Sequence, residues 1–377
     1  MSEPFRLTAL TARVFRYPLA APVRTSFGVM ADRPAVLVEA RSADGARGFG
    51  EAWCNFPSVG AEHRARLVNK VCAPLLIGRE LAFPAQGFRH LTKALCVLAL
   101  QSGEDGPLAQ AIAGIDIALW DLAARRAGEP LHRFLGGAPA TSVGAYASGL
   151  NPEAPELLAL RRAGEGHTAF KLKVGFGEDK DLANVRRLRE ALGDGARLMV
   201  DANQAWEVGE AARMAELFAD EDLDWLEEPM RADAPREDWR ALAARSPVPL
   251  AAGENLRGAD AFQAMIDSGA VAVIQPDIAK WGGFSGCLEV AKAALAAGRR
   301  YCPHFLGGGI GLAASLHLLA AAGGDGLLEV DANDNALREA MAQPFPALSA
   351  GRMAVPAGPG LGVEPDFSAL EAYDIAL

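Results

Sequence analysis

Apolar segments of strand length recur through the second half of the chain, and each ends in a side chain able to do chemistry. They end at Lys173 (AFKLK), Asp201 (RLMVDAN), Glu227 (LDWLEEP), Glu254 (PLAAGEN), Asp277 (VAVIQPD) and His304 (RRYCPH), spaced by 28, 26, 27, 23 and 27 residues. Asp201, Glu227 and Glu254 are successive carboxylates with no Cys or His between them. All-oxygen ligation of that kind suits a hard divalent cation, and three monodentate carboxylates that leave half an octahedron for water and substrate suit Mg²⁺. Glu228 competes with Glu227 for this role. Neighbours on an extended strand point to opposite faces, so only one of them can face the metal, and Glu228, directly before Pro229, is expected in a supporting hydrogen bond.

Lys171 and Lys173 are two residues apart and share a face if their strand is regular. Two adjacent ammonium groups disfavour each other's charge, which would lower the pKa of one of them toward that of a working base. Asp277 and His304 come from consecutive segments, and an Asp–His hydrogen bond would orient the imidazole and raise its basicity. Glu329, in GLLEVDAN, adds a further carboxylate. A single acidic residue at a strand end is commonly just the N-cap of the next helix. A whole series of such positions filled by ionisable groups is not explained that way.

The elements that must position these groups follow from the same spacing. A helical stretch follows each segment, and intervals of this size are those of βα units in a parallel sheet. Adding SVGAYASG (142–149) before and GLLEVDAN (326–333) after makes eight strands, which favours a closed barrel with its site at the carboxyl ends. The fold class expected is α/β. Upstream, Thr8–Tyr17, Ala35–Arg41 and Gly48–Trp53 read as a β meander with a tight turn at Asp44-Gly45. Residues 107–127 read as a helix, with Ile112, Ile115, Leu119 and Leu122 on one stripe, that closes at Gly128. The expected organisation is an α+β cap over 1–140, a barrel over 141–325, and the last strand with a Pro- and Gly-rich segment returning to the cap over 326–377.

Composition narrows the function classes. The chain of 377 residues is 50% hydrophobic and 22% charged, enough to bury a large core, and carries a formal charge of −10. Such a field repels phosphate backbones and anionic membranes, so neither nucleic acid nor membrane is expected as a partner. The five cysteines are scattered without a CxxC, no HExxH occurs, and no apolar run approaches the roughly 20 residues of a membrane helix. These features, with no secretory pattern at the start, point to a reducing, cytoplasmic setting.

The ordered set Lys-x-Lys, DAN, EEP, GEN, QPD, PH and LLEVD, with AIAGIDIALWDLAARRAGEPLHRFLGG upstream and PGLG near the end, resembles the mandelate racemase branch of the enolase superfamily over nearly the whole chain. The resemblance implies a modified (β/α)7β barrel of the TIM type under an α+β capping domain. It implies Asp201, Glu227 and Glu254 as Mg²⁺ ligands, Lys173 as the base on one face of the substrate, and His304 with Asp277 as acid or base on the other. Lys171 would tune Lys173, Glu329 would hydrogen-bond the substrate carboxylate as it gains charge, and Asn203 would touch substrate. Asp277 stands where the muconate-lactonising and dipeptide-epimerising branches carry lysine, and Lys280 is expected in a loop or a salt bridge. The implied chemistry is removal of a proton α to the carboxylate of a small-molecule substrate. Dehydration of an acid sugar or small polyhydroxy acid to a 2-keto-3-deoxy acid is favoured over racemisation or epimerisation of a 2-hydroxy acid. An inactive binding protein on the same scaffold is the alternative of another class, opposed by the fact that every expected charged position is filled. The resemblance also implies a symmetric homo-oligomer. Substrate choice is expected from cap loops at Arg24–Phe27 and Trp53–Pro57, with Arg24, Phe27 and Trp53 as contacts, and the glycines at 307–309 offer backbone N–H groups to an anion.

Overall fold

The computed structural model describes residues 3–24 and 28–377, apart from the side chains of residues 20, 21 and 24. Strands β1 (Phe5–Arg24), β2 (Val29–Ser42) and β3 (Arg47–Ala52) form the antiparallel meander, with Val14 opposite Val36 and Val38 opposite Gly50. β1 and β2 run well beyond the stretches expected from alternation, because the pair continues past its apolar centre into the polar ends at Arg33 and Asp32. A short β4 (Glu80–Leu81) pairs with β1.

The helix Asp105–Ala127 lies across this sheet and ends at Gly128 in the left-handed conformation. The approach is close: a Cβ on Gly50 would sit 2.0 Å from the Gly114 carbonyl oxygen, and one on Gly48 would sit 2.2 Å from that of Ala118. Glycine is therefore required at both positions. This helix is also long and apolar enough to cross a membrane, contrary to expectation, but 83% of its apolar window is buried against the rest of the protein. Its hydropathy is that of a core helix packed on several sides.

Eight parallel strands follow: β5 (Ser142–Leu150), β6 (Ala169–Lys173), β7 (Arg197–Asp201), β8 (Leu223–Glu227), β9 (Leu250–Ala252), β10 (Val273–Ile274), β11 (Arg300–Tyr301) and β12 (Leu327–Asp331). Each of the first seven is followed by a helix, and β12 pairs in parallel with β5. Between β11 and β12 no ladder forms among the described residues; the strands meet where Gly326 packs on the Tyr301 carbonyl and the Leu327 N–H donates to Cys302 Sγ at 3.3 Å. The alternation along each strand sets two environments. Phe170, Leu172, Leu198, Val200, Leu226 and Ile274 pack in one large cluster with residues of the surrounding helices. Ala169, Met199, Trp225, Ala251, Val273, Cys302 and Leu327 form, with Tyr146, a separate cluster that fills the interior.

The later strands are shorter than their sequence segments. Glu254, Asp277 and His304 lie beyond the ends of β9, β10 and β11 rather than on them. Pro276 and Pro303 carry no N–H for a ladder, and Gly253 turns the backbone at φ 146°. A single parallel bridge between Asp277 and His304 continues the pairing past the prolines. After β12 the chain makes a hairpin, β13 (Leu348–Ser349) and β14 (Arg352–Ala354), whose second strand pairs antiparallel with the start of β5. It then adds β15 (Asp374–Ile375) to β1 of the meander.

Candidate active site

At the carboxyl ends of the strands the interior face changes from apolar to ionic. On β6, Lys171 and Lys173 follow Ala169 on the inward face, as their spacing requires, yet they do not share charge in the way the sequence suggested. Both face carboxylates, and Asp201 lies between them. Lys171 is fully buried, donates to Glu227, and lies 2.8 Å from Glu329 and 3.6 Å from Asp201. Burial opposes its charge, but these carboxylates, Glu227 first, hold its pKa well above the ordinary lysine value, so the expected lowering by a neighbouring ammonium does not occur there. Lys173 Nζ donates to Asp201 Oδ2 at 2.6 Å and to Asn203 Oδ1 at 2.7 Å.

Glu227 is almost fully buried. Besides Lys171 it accepts from Trp225 Nε1 at 3.0 Å and Gln275 Nε2 at 2.7 Å, and burial pushes its pKa up to about 7 against the pull of Lys171. Glu228 has φ 40°, so the extended backbone ends there and the simple alternation of faces no longer applies. Its carboxylate accepts from Asn255 Nδ2 at 2.9 Å, the supporting hydrogen bond expected of it, and burial followed by the charge on Glu254 raises its pKa well above the usual range.

Across the barrel mouth, His304 Nδ1 lies 2.7 Å from Asp277 Oδ2, and its Nε2 lies 2.6 Å from Glu254 Oε2 and 3.7 Å from Glu329 Oε2. Burial disfavours the imidazolium, but Glu254, Glu329 and Asp277 raise its pKa well above the ordinary value. Burial would likewise raise Glu254, yet His304 and Lys280 hold it well below the carboxylate range. Glu329 also accepts from Ser148 Oγ and from the Phe305 N–H at 2.9 Å, and Lys171 with His304 overcomes burial to bring its pKa to about 2. The strands of Lys173 and His304, β6 and β11, are separated by β5 and β12, and both side chains line one cavity.

Among the described residues no three carboxylate or imidazole groups converge on one point; the carboxylates lean instead on Lys171, Lys173, Lys280 and His304. The inventory nonetheless favours a divalent ion. Among the described residues Asp201, Glu227, Glu228, Glu254, Asp277, Glu329 and Asp331 are buried around the site, against Lys171, Lys173, Lys280, Arg33 and His304. An excess of buried negative charge with all-oxygen donors on adjacent strands is what a hard cation neutralises.

Comparison with known proteins agrees with this architecture. Residues 9–136 match the family model "Mandelate racemase / muconate lactonizing enzyme, N-terminal domain", and residues 154–369 match "Enolase C-terminal domain-like". The chain belongs to the mandelate racemase/muconate lactonizing enzyme family of the enolase superfamily. A D-galactarolactone cycloisomerase of Agrobacterium fabrum is 33% identical over 386 aligned positions, covering 98% of both chains. A mandelate racemase/muconate lactonizing enzyme structure from Bordetella bronchiseptica superposes with TM-score 0.93 at 55% identity, covering 98% of this chain and 99% of that one. An L-talarate dehydratase of Polaromonas, solved with Mg and L-glucarate, superposes with TM-score 0.83 at 30% identity, covering 99% and 98%. Other matched members of the family are named as acid-sugar dehydratases, cycloisomerases and racemases. These relatives are enzymes.

Within this enolase-superfamily fold, Trp53 and Asn203 line the cavity above the ionic groups. Phe27 lies outside the described residues, and so does the side chain of Arg24, which ends β1. Of the glycines at 307–309, Gly308 already donates to an anion. The N–H groups of Gly308 and Gly311 donate to the carboxylate of Glu51 on β3, so the cap itself supplies the anion at that helix start. Lys280 makes a salt bridge, as anticipated, but inside the site: Nζ lies 3.0 Å from Glu254 Oε1 and 4.7 Å from the centre of the Trp53 ring. The sequence reading missed Arg33, which enters the same cavity from β2. Its signal, a charged residue at the edge of an alternating strand, is too common to stand out.

Proposed function

We propose that this protein catalyses Mg²⁺-dependent removal of the proton α to a carboxylate, with dehydration of an acid sugar or small polyhydroxy acid to a 2-keto-3-deoxy acid as its reaction. What supports the reading is that Lys173 and His304, the latter paired with Asp277, line one cavity, Lys173 beside Asp201 and His304 beside Glu254, with Glu227 held by Lys171 nearby. This also supports the mandelate racemase branch, since Asp277 rather than lysine follows β10. In this reading Asp201, Glu227 and Glu254 hold Mg²⁺, which supplies positive charge where the substrate carboxylate gains negative charge.

The remaining work falls to side chains. Lys173 takes the α-proton from one face, with Asp201 and Asn203 fixing the direction of its Nζ. Glu329, held by Ser148, Lys171 and the Phe305 N–H, steadies the substrate carboxylate, while Lys171 keeps the buried Glu227 and Glu329 compensated. His304, oriented by Asp277 and carrying a proton, delivers that proton to the departing β-hydroxyl on the other face. The resulting enol becomes the 2-keto acid. Positioned acid–base groups of this kind are worth about 10²–10⁴-fold in rate each.

The same pair supports a second reading, racemisation or epimerisation of a 2-hydroxy acid, in which His304 returns a proton to the α carbon. What favours it is that both groups line one cavity. Incubating the Mg²⁺-loaded protein with a library of acid sugars and assaying 2-keto acid formation tests the first reading. Product from at least one polyhydroxy acid is expected; α-carbon inversion without keto acid would transfer the assignment to the second.

A further inference from the structure

Ten large apolar side chains stand exposed among the described residues, and three of them fall within four consecutive positions of one cap helix, Ala85–Ser102. Val97, Leu98 and Leu100 are 65%, 43% and 77% exposed, and Ala94 and Cys96 beside them are exposed too. The helix needs none of them for its own packing. Leu91, Leu95 and Ala99, at i, i+4 and i+8, already hold it to the helix Asp105–Ala127 in the cap core. Residues three and four apart share a helix face, so Ala94, Val97 and Leu100 form a stripe that points away from that core. On its Cys96 side the stripe continues into an apolar groove of about 190 Å³ between the two helices, with Phe88, Ile112 and Trp281 in its walls. Monomeric soluble proteins seldom leave a contiguous apolar face to water.

The charges that flank the stripe say what covers it. Before it stand Arg89 and Lys93, and after it Glu104 and Asp105. Glu104 has an ionic partner in its own chain, His63 at 3.1 Å. Arg89, Lys93 and Asp105 have none among the described residues, although the Arg89 guanidinium lies 4.9 Å from the centre of the Phe83 ring. Arg89 comes eight residues before Val97 and Asp105 eight after it, roughly 12 Å to either side at about 1.5 Å per residue. A second copy of the helix laid antiparallel across a twofold axis at Val97 therefore sets Val97 against Val97 and the cationic end of each helix against the acidic end of the other. A parallel copy would set like charges together. The face is thus complementary to itself, as an isologous contact requires.

We infer that the outer face of Ala85–Ser102 is the contact of a twofold dimer of this chain, with the two helices antiparallel and crossing at Val97. The contact is independent of the α-proton chemistry proposed above. Sedimentation equilibrium of the wild type, Val97→Asp and Leu100→Asp tests it. The wild type should be a dimer, or an even-numbered assembly if other faces also associate, and each variant should raise the dissociation constant of this contact at least 100-fold with circular dichroism unchanged. The flanking charges set orientation more than affinity, so their effect is smaller. Arg89→Glu and Asp105→Arg should each raise the constant at least fivefold, and the two together should return it to within threefold of the wild type. Position 97 lies on the axis, so Val97→Cys in a Cys96→Ser background should cross-link between copies under mild oxidation at least tenfold faster than Leu157→Cys, exposed on a barrel helix, in the same background. Should the aspartate variants fail to fold, the cross-linking rates decide. A monomeric wild type overturns the inference and leaves the face to a different protein. An assembly that both aspartate variants leave intact, charge reversals that do not rescue each other, or equal cross-linking rates overturn it as well.

Discussion

Two layers of the barrel interior are built on the same strands and differ in almost everything else. Below, Met199, Trp225, Val273, Cys302 and Leu327 pack around Tyr146 with no charge among them. One step along β6, β7, β8 and β12, and just past the end of β11, the inward positions become Lys171, Asp201, Glu227, Glu329 and His304, all buried to a similar degree. The lower layer is stabilised simply by leaving water. In the upper layer, charges taken out of water need partners, and an ion pair so buried adds little to stability while breaking it is costly. The molecule keeps such a layer because of what it does chemically. Trp225 joins the two, its ring in the apolar cluster and its Nε1 on Glu227.

The largest expected effect comes from breaking the upper layer at its acid–base groups. Lys173→Ala and His304→Asn should each lower turnover by about 10³-fold or more while far-UV circular dichroism stays that of the wild type. Retained turnover in Lys173→Ala would mean that the base is elsewhere, and in His304→Asn that the acid is. The lower layer should answer in the opposite currency. Met199→Ala, beneath Asp201, should cost about 2–5 kcal/mol in urea unfolding and leave kcat of the folded protein within about threefold, since it removes packing but no charge. Glu51 sharpens the contrast. It is a buried carboxylate whose hydrogen-bond donors are the N–H groups at the start of the helix Gly309–Ala322 rather than a cationic side chain. Burial pushes its pKa from an ordinary value near 4.5 up to about 7. The folded state therefore holds its proton more tightly than the unfolded chain, and the stability linked to it is full below about pH 4.5 and lost as pH rises through 7. Between pH 5 and 8 the urea midpoint of the wild type should fall by more than that of Glu51→Gln, the difference corresponding to about 1–3 kcal/mol. Parallel curves would show that Glu51 is compensated after all.

Much of the upper layer was legible beforehand because its order depends only on local geometry. Residues two apart on a strand share a face, and βα units recur at a nearly fixed interval, so Lys171, Lys173, Asp201, Glu227 and Glu329 could be placed without tertiary knowledge. Asp277 and His304 were correctly paired although the prolines before them end the strands early. What could not be read depends on contacts distant in sequence. The charge state of Lys171 is set by Glu227 and Glu329 rather than by Lys173, and Lys280 lies in the cavity because the turn after β10 folds back on Glu254. Arg33 meets Asp331 only through the docking of cap on barrel. The anion at the helix start near Gly308 is likewise a side chain of the cap, invisible in the glycines themselves.

The central claim is that Lys173 and His304 address one α carbon from opposite faces, with a divalent cation held between them and the carboxylates. Its most direct measurement is α-proton exchange in D₂O, followed by NMR over a panel of hydroxy and sugar acids, with and without Mg²⁺, for the wild type, Lys173→Ala and His304→Asn. The account predicts Mg²⁺-dependent deuterium incorporation with at least one acid, lost in Lys173→Ala and retained in His304→Asn for the enantiomer or epimer whose α-proton faces Lys173. No exchange with any acid, together with no Mg²⁺ binding, would contradict it.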